Sequence, residues 1–167
     1  MSAVASDAPS SAAQPHHGES AASPRPPTAV IIVDANSILS VVLGRRSRPV
    51  FEQVIASRTV ATSARAAAEV RGVLRKTLGL PPHAGELAEA LLGGILVVDA
   101  AVYANLVEIA GRVLARAVAS RNGSTRDAHL LACAWTFDAD LWTHDRDFAG
   151  TGWPSWSNAN LSDSLEP

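Results

Sequence analysis

Five acidic residues stand out, four of them where the chain changes from one pattern to the next and one inside a helical pattern. Asp34 follows the β-branched run "VIIV", Glu69 sits inside "ARAAAEVRGVL", Asp127 opens "RDAHLLACAW", and Asp145 and Asp147 lie just past "DLWT". Singly, each has an ordinary use, as a turn residue, a helix N-cap or a solvated side chain at the edge of an apolar stripe. Meeting at one place they would be a different object, because two carboxylates about 5 Å apart repel by roughly 3 kcal/mol at an effective dielectric near 20. Such a cluster requires protons or a cation. Oxygen ligands without His or Cys select Mg²⁺ or Mn²⁺ and argue against zinc. An ion of that kind, with open positions, can activate water and neutralise a phosphate, which is phosphoryl chemistry.

For the acids to meet, the elements must bring them together. "VIIV" reads as a strand at Val30–Val33 buried on both faces, followed by a helix from about Ser37 to Gly44 and a second covering "VFEQVIASR". "RTVAT" is a short strand. Thr62 or Ser63 caps a longer helix, "ARAAAEVRGVLRKTL", whose Val70, Val73, Leu74 and Leu78 form one apolar stripe bordered by Glu69. "GELAEALL" is helical and "ILVVD" is a buried strand. Asp99 caps helices running to about Ala119, with Gly111 as a break, and Ser124 or Thr125 caps the helix that Asp127 opens. "ADLWT" and "SWS" supply a fourth and a fifth strand. Strands and helices alternate without a hairpin signal, which predicts an α/β fold: a three-layer α/β/α sandwich around a parallel sheet of four to five strands. In such a sheet ligands bind outside the carboxyl ends of the strands, where Asp34 and Asp145 fall.

The chain has 167 residues, enough for one domain with a proper core. Residues 1–28, rich in Ser, Ala and Pro, read as a disordered tail, 29–161 as the domain and 162–167 as a C-terminal tail. The single cysteine, Cys133, excludes an internal disulfide and a Cys-based zinc site, and fits a reducing, cytoplasmic setting. No stretch is apolar enough to span a membrane. From Ala29 to Asn160 there are thirteen basic and twelve acidic residues, a net charge of +1, so any polyanion site must be local. All but one of those cations are arginines, which favour bidentate phosphate contacts.

The four quoted segments "IIVDANSILS", "ARAAAEVRGVL", "RDAHLLACAW" and "DLWTHDRDFAGTG", in that order, resemble the PIN-domain ribonucleases, the group that includes VapC-like toxins. The resemblance covers about Thr28 to Leu161. It implies a PIN-like fold with an acidic cleft that binds Mg²⁺ or Mn²⁺ and cuts RNA. By position, Asp34, Glu69, Asp127 and Asp145 look like the catalytic, metal-binding quartet, Asp147 like an auxiliary metal-binding acid, and Asn36 and Thr143 like polar residues that orient the carboxylates. The same resemblance implies an antitoxin protein as partner and a homodimer. Arg45, Arg46, Arg48, Arg126 and Arg146 lie near the proposed strand ends and are candidates for gripping RNA, with solvated surface as the alternative for each. Trp153 and Trp156 are candidates for stacking on bases, whereas Trp142 on a strand reads as core. His129 and His144 lie near the acids, without a role in the family's chemistry.

Two other readings compete. An aspartate after the first strand also begins haloacid dehalogenase and receiver folds, but those require a second acid beside or two residues after it and a late lysine. Here the positions hold Ala35 and Asn36, and Lys76, the only lysine, comes too early. The other is a catalytically silent PIN fold that binds RNA or protein; loss of a quartet member would mark it, and all four are present.

Overall fold

A computed structural model describes residues 25–44, 47–117 and 125–165. Five parallel strands form one sheet in the order β3-β2-β1-β4-β5, with β1 at Val30–Val33, β2 at Thr59–Ser63, β3 at Leu96–Val98, β4 at Asp140–Trp142 and β5 at Ser155–Trp156. Seven α-helices are described: α1 (Ala35–Leu43), α2 (Ser47–Ser57), α3 (Ala64–Lys76), α4 (Ala84–Gly93), α5 (Ala100–Arg116), α6 (Ala128–Phe137) and α7 (Asn158–Leu165). This is the α/β/α architecture expected from the alternation of patterns. None of the described helices is long and apolar enough to cross a membrane.

The centre of the sheet is built from the β-branched run. Ile31 and Ile32 point to opposite faces and are both fully buried, as a central parallel strand covered by helices requires. Helix α6 packs against β1, β2 and β4 and lies under α5, so that every residue from Ala128 to Ala134 is buried. Helix α1 packs against α2, α3 and α4.

Several boundaries differ from those read in the sequence, each for a local reason. Strand β3 pairs with β2 alone; at the edge of the sheet its Leu96 and Val97 are exposed, so the strand is not buried as expected. Helix α3 stops at Lys76, which leaves Leu78 beyond the helix and 96% exposed instead of in the apolar stripe. Gly111 does not break α5: the helix is continuous, and the glycine sits against Thr125 and Ala128 at the α5–α6 contact. The segment assigned to a C-terminal tail, 162–167, is helical through Leu165. There α7 docks on α2 through the buried Leu161 and paired bonds between Gln53 and Ser162. A helix of eight residues with few apolar positions carries too little periodicity to be seen in the sequence.

The tail assigned to 1–28 also ends earlier, since its last residues are held to the sheet. Asp140, 2% exposed at the start of β4, accepts from Arg25 Nη2 at 2.6 Å, Thr28 N at 3.2 Å and Trp156 Nε1 at 2.8 Å. Thr28 Oγ1 in turn accepts from the Asp140 amide. Because the Arg25 side chain is half in solvent and two other donors remain, Arg25→Ala is expected to cost about 1 kcal/mol. Asp140→Ala strands all three donors and should cost about 2–3 kcal/mol. Urea denaturation of the two variants checks the ranking.

Candidate active site

The strand order fixes where a site can form. From β1 the chain runs outward through β2 to β3 and then returns to the other side of β1 for β4 and β5, so the topological switch point lies between the carboxyl ends of β1 and β4. Asp34 is the first residue after β1, and Asp145 follows β4 by three residues. The two strand ends are stitched together by the Asp34 amide donating to the Trp142 carbonyl at 3.1 Å.

Asp34, 5% exposed, N-caps α1: its Oδ1 accepts from the Ser37 amide at 2.6 Å, and its Oδ2 accepts from the Thr143 hydroxyl. The same hydroxyl oxygen accepts from the Asp145 amide at 2.9 Å, and Asp145 Oδ1 accepts from the Asp147 amide at 3.0 Å, capping a 3-10 turn at Arg146–Thr151. Thr143, itself 5% exposed, is thus the link that orients Asp34 and the loop carrying Asp145. Thr143→Val removes both bonds at nearly constant volume and should cost about 1–2 kcal/mol, while Thr143→Ser keeps both and should cost less. Thermal or urea unfolding separates the two.

Glu69 reaches the same place from α3. That helix is anchored by buried Ala66, Ala67 and Val70 and capped by Ser63, whose Oγ accepts from the Ala66 amide at 3.0 Å. Asp127 arrives at the start of α6. It holds the N-cap position, which was expected of Ser124 or Thr125, without a side-chain cap bond, so capping does not account for its carboxylate; Ser124 lies outside the described residues. Burial, and then the charges of Asp145, Glu69, Asp34 and Asp147, push the Asp127 carboxyl up from 3.8 to about 6.

Asp34, Glu69, Asp127 and Asp145 line one cavity of about 20 Å³, walled on its apolar side by Leu130 and Phe148. That volume holds about one water or one bare ion. Asp147 acts on Asp127 electrostatically but does not line the cavity. Asn36 lines it from an exposed position, and among the described residues it bonds to none of the carboxylates, contrary to the orienting role expected for it. The all-oxygen donor set and the repulsion felt by Asp127 suit a hard divalent cation. As they stand, no three His, Cys, Asp or Glu side chains among the described residues form a ready-made ligand group.

The remaining candidates divide. Arg126 and Arg146 are exposed beside the acids, and Arg45 and Arg46 lie outside the described residues. Arg48 donates instead to the carbonyls of Val41 and Val42, closing the C-terminal end of α1. Trp153 and Trp156 are tied by their indole N–H groups to Ala139 and Asp140, at the opposite end of β4 from the acids, so neither offers a base-stacking face at the site. Trp142 is core and stacks on Phe51. His129 is buried with Nδ1 2.8 Å from Ser63 Oγ; burial and the nearby Arg65 hold it down near 4, so it is neutral at pH 7. That contact, unforeseen in the sequence, ties the cap of α3 to α6 and so holds together the two helices that carry Glu69 and Asp127.

The profile of the family described as "PIN domain" matches residues 32–166. No curated protein matches the chain in sequence. Among solved structures, the chain is similar to VapBC2 from Rickettsia felis bound to a promoter DNA fragment, at 14% identity and a TM-score of 0.62, covering 77% of this chain and 98% of that one. It is similar to VapC20 of Mycobacterium tuberculosis, a sarcin-ricin loop cleaving toxin, at 25% identity and a TM-score of 0.55, covering 74% and 95%. A toxin-antitoxin complex from Klebsiella pneumoniae matches at 20% identity and a TM-score of 0.56, covering 77% and 97%.

Proposed function

The chain belongs to the PIN-domain family, and from that membership we propose that it is an endoribonuclease that hydrolyses RNA phosphodiester bonds with Mg²⁺ or Mn²⁺. The observation that carries this reading is the convergence of Asp34, Glu69, Asp127 and Asp145, from four separate segments, on one small cavity at the switch point of the sheet. In this proposal Asp34, Asp127 and Asp145 hold the ion, with Asp147 as an outer acid and Glu69 placing the attacking water or a second ion. When bound, the ion supplies positive charge to the scissile phosphate and activation of water. The chain's own contribution is placement. Thr143 and the Ser37 amide fix both oxygens of Asp34, and Leu130 and Phe148 keep bulk water from one side of the cavity, which strengthens the field of the carboxylates.

The proposal extends to biology. The solved relatives include a toxin that cuts the sarcin-ricin loop and toxin-antitoxin complexes, so the toxin of a type II pair, with an antitoxin as partner and a homodimer as its assembly, is the role we assign. A second reading, a PIN fold that binds RNA or protein without cutting, is favoured by the lack of a preformed three-ligand group. The test is cleavage of a generic RNA in Mg²⁺, Mn²⁺ and EDTA. Cutting that requires the metal and is lost on EDTA supports the nuclease; inertness across metals and RNAs leaves the binding module.

A further inference from the structure

Beside the acidic cavity a second, larger concavity of about 710 Å³ runs along α3, sharing Glu69 and Asp127 with it. Its α3 side is one helical stripe, residues 65, 68, 69, 72, 73 and 76, at spacings of three and four. Arg65 stands at one end of that stripe and Lys76 at the other, about 16 Å apart along the helix axis. Arg75 and, from the segment before α6, Arg126 complete the rim. With Glu69 and Asp127 included, four cations face two acids, a local charge of +2 in a domain that is otherwise nearly neutral. Among the described residues Arg65, Arg75 and Lys76 take part in no ion pair. Arg75 and Lys76 stand in the last turn of α3, where the helix dipole favours cations, but the dipole alone does not require them to line a concavity beside the acids.

The floor of the concavity is small by composition. Ala68 and Gly72 occupy the middle of the stripe, and a Cβ added to Gly72 would meet nothing within 4 Å. A glycine inside a helix costs about 1 kcal/mol relative to alanine, and here no neighbour requires it. What its missing side chain provides is open space next to the acids.

We propose that this groove seats the sugar-phosphate backbone of the RNA to one side of the scissile phosphate, with Arg75 and Lys76 as its principal phosphate contacts and Gly72 as its floor. The inference rests on the ribonuclease reading and adds the path of the substrate to it. It adds residues of α3 to the expected arginine set, of which Arg126 lines the same groove. A groove of this volume is of ligand size, and guanidinium and ammonium groups on its rim match phosphate oxygens.

The test uses the full chain with a single-stranded RNA oligonucleotide, binding being followed by fluorescence anisotropy in EDTA so that the probe stays intact. Arg75→Glu/Lys76→Glu should weaken binding about 10- to 100-fold and flatten the dependence of log Kd on log salt by about 1.4, the value for two single-strand phosphates. Arg112→Glu/Arg116→Glu on α5 carries the same charge change away from the groove and should change Kd less than about threefold. Gly72→Phe should raise the melting temperature slightly and weaken binding. In Mg²⁺ the α3 variants should raise KM with kcat nearly unchanged. Wild-type affinity in both α3 variants, an equal loss in the α5 control, or no RNA binding by the wild type overturns the proposal. So does loss of an acidic peptide probe, poly-glutamate, with RNA binding intact, which would make the groove a protein-docking surface. Groove-dependent binding by a protein that cuts no RNA in any metal would sink the nuclease reading and leave the groove standing.

Discussion

Asp34→Asn is expected to lower Mg²⁺-dependent RNA cleavage by about three orders of magnitude while leaving the fold intact. The reason lies in the different uses of its two oxygens. Oδ1 caps α1 by accepting from the Ser37 amide, and asparagine is as good an N-cap as aspartate, so an amide oriented with its oxygen toward Ser37 keeps the cap. The other side then turns from acceptor to donor toward Thr143, whose hydroxyl oxygen has a second lone pair beside the one that receives the Asp145 amide. The stability change should therefore stay below about 1.5 kcal/mol. What cannot be kept is the negative charge of the most buried of the four carboxylates, 5% exposed, where its interaction with a cation is least screened. Removing one preorganised charge from such a site typically costs a factor of about 10²–10³ or more in rate. Circular dichroism and an unfolding curve establish the folded state, and single-turnover cleavage gives the rate. A folded variant that cuts as fast as wild type would remove Asp34 from the chemistry.

The division between what the sequence discloses and what it hides follows from interaction range. The β1 run, the alternation of elements and the carboxyl-end placement of Asp34 and Asp145 are encoded in neighbouring residues, and β1 starts and stops as read. Burial is a non-local property that a local pattern does not encode: "ILVVD" looks as apolar as "VIIV" but forms the sheet edge. The acids were legible as types and positions, whereas their supports were not. Nothing in the sequence says that Thr143 also bonds Asp34 or that His129 closes on Ser63, because those partners are 109 and 66 residues apart and meet only through the fold. The groove also has a local signal in the sequence. Arg65, Ala68, Glu69, Gly72 and Lys76 repeat at helical spacing, with cations at the ends and the small Ala68 and Gly72 flanking Glu69 between them, beside the apolar stripe that shares Val73 with the groove.

Asp127→Asn should make the metal-free protein more stable than wild type at neutral pH, and the magnesium-loaded protein less stable. In the folded chain the Asp127 carboxyl sits at about 6 instead of 3.8, so the folded state holds its proton more tightly than the unfolded one. A group raised in this direction makes stability fall as pH climbs from about 4 to about 6, and the deficit persists above that window. The rise corresponds to at most about 3 kcal/mol. Asp127 is only partly withdrawn from solvent, and screening brings the expected deficit to about 1 kcal/mol. The positive end of the α6 dipole, which favours the charged form by a few tenths, reduces it slightly further. Asparagine cannot ionise, so the variant should match wild type near pH 3.5 and exceed it by up to about 1 kcal/mol at pH 7.5. Magnesium reverses the order: at a hundredfold excess over its dissociation constant a site gains about 2.7 kcal/mol, and the variant, short of one ligand charge, should lose most of that gain. Protons and the ion compete for the same carboxylate, so the wild-type gain should shrink as pH falls through about 6. Melting curves at both pH values, with and without Mg²⁺, give all four stabilities. If the wild-type melting temperature is unmoved by millimolar Mg²⁺, or if the metal-free variant is the less stable at pH 7.5, then the burial and mutual repulsion that raise Asp127 are not what a cation relieves here.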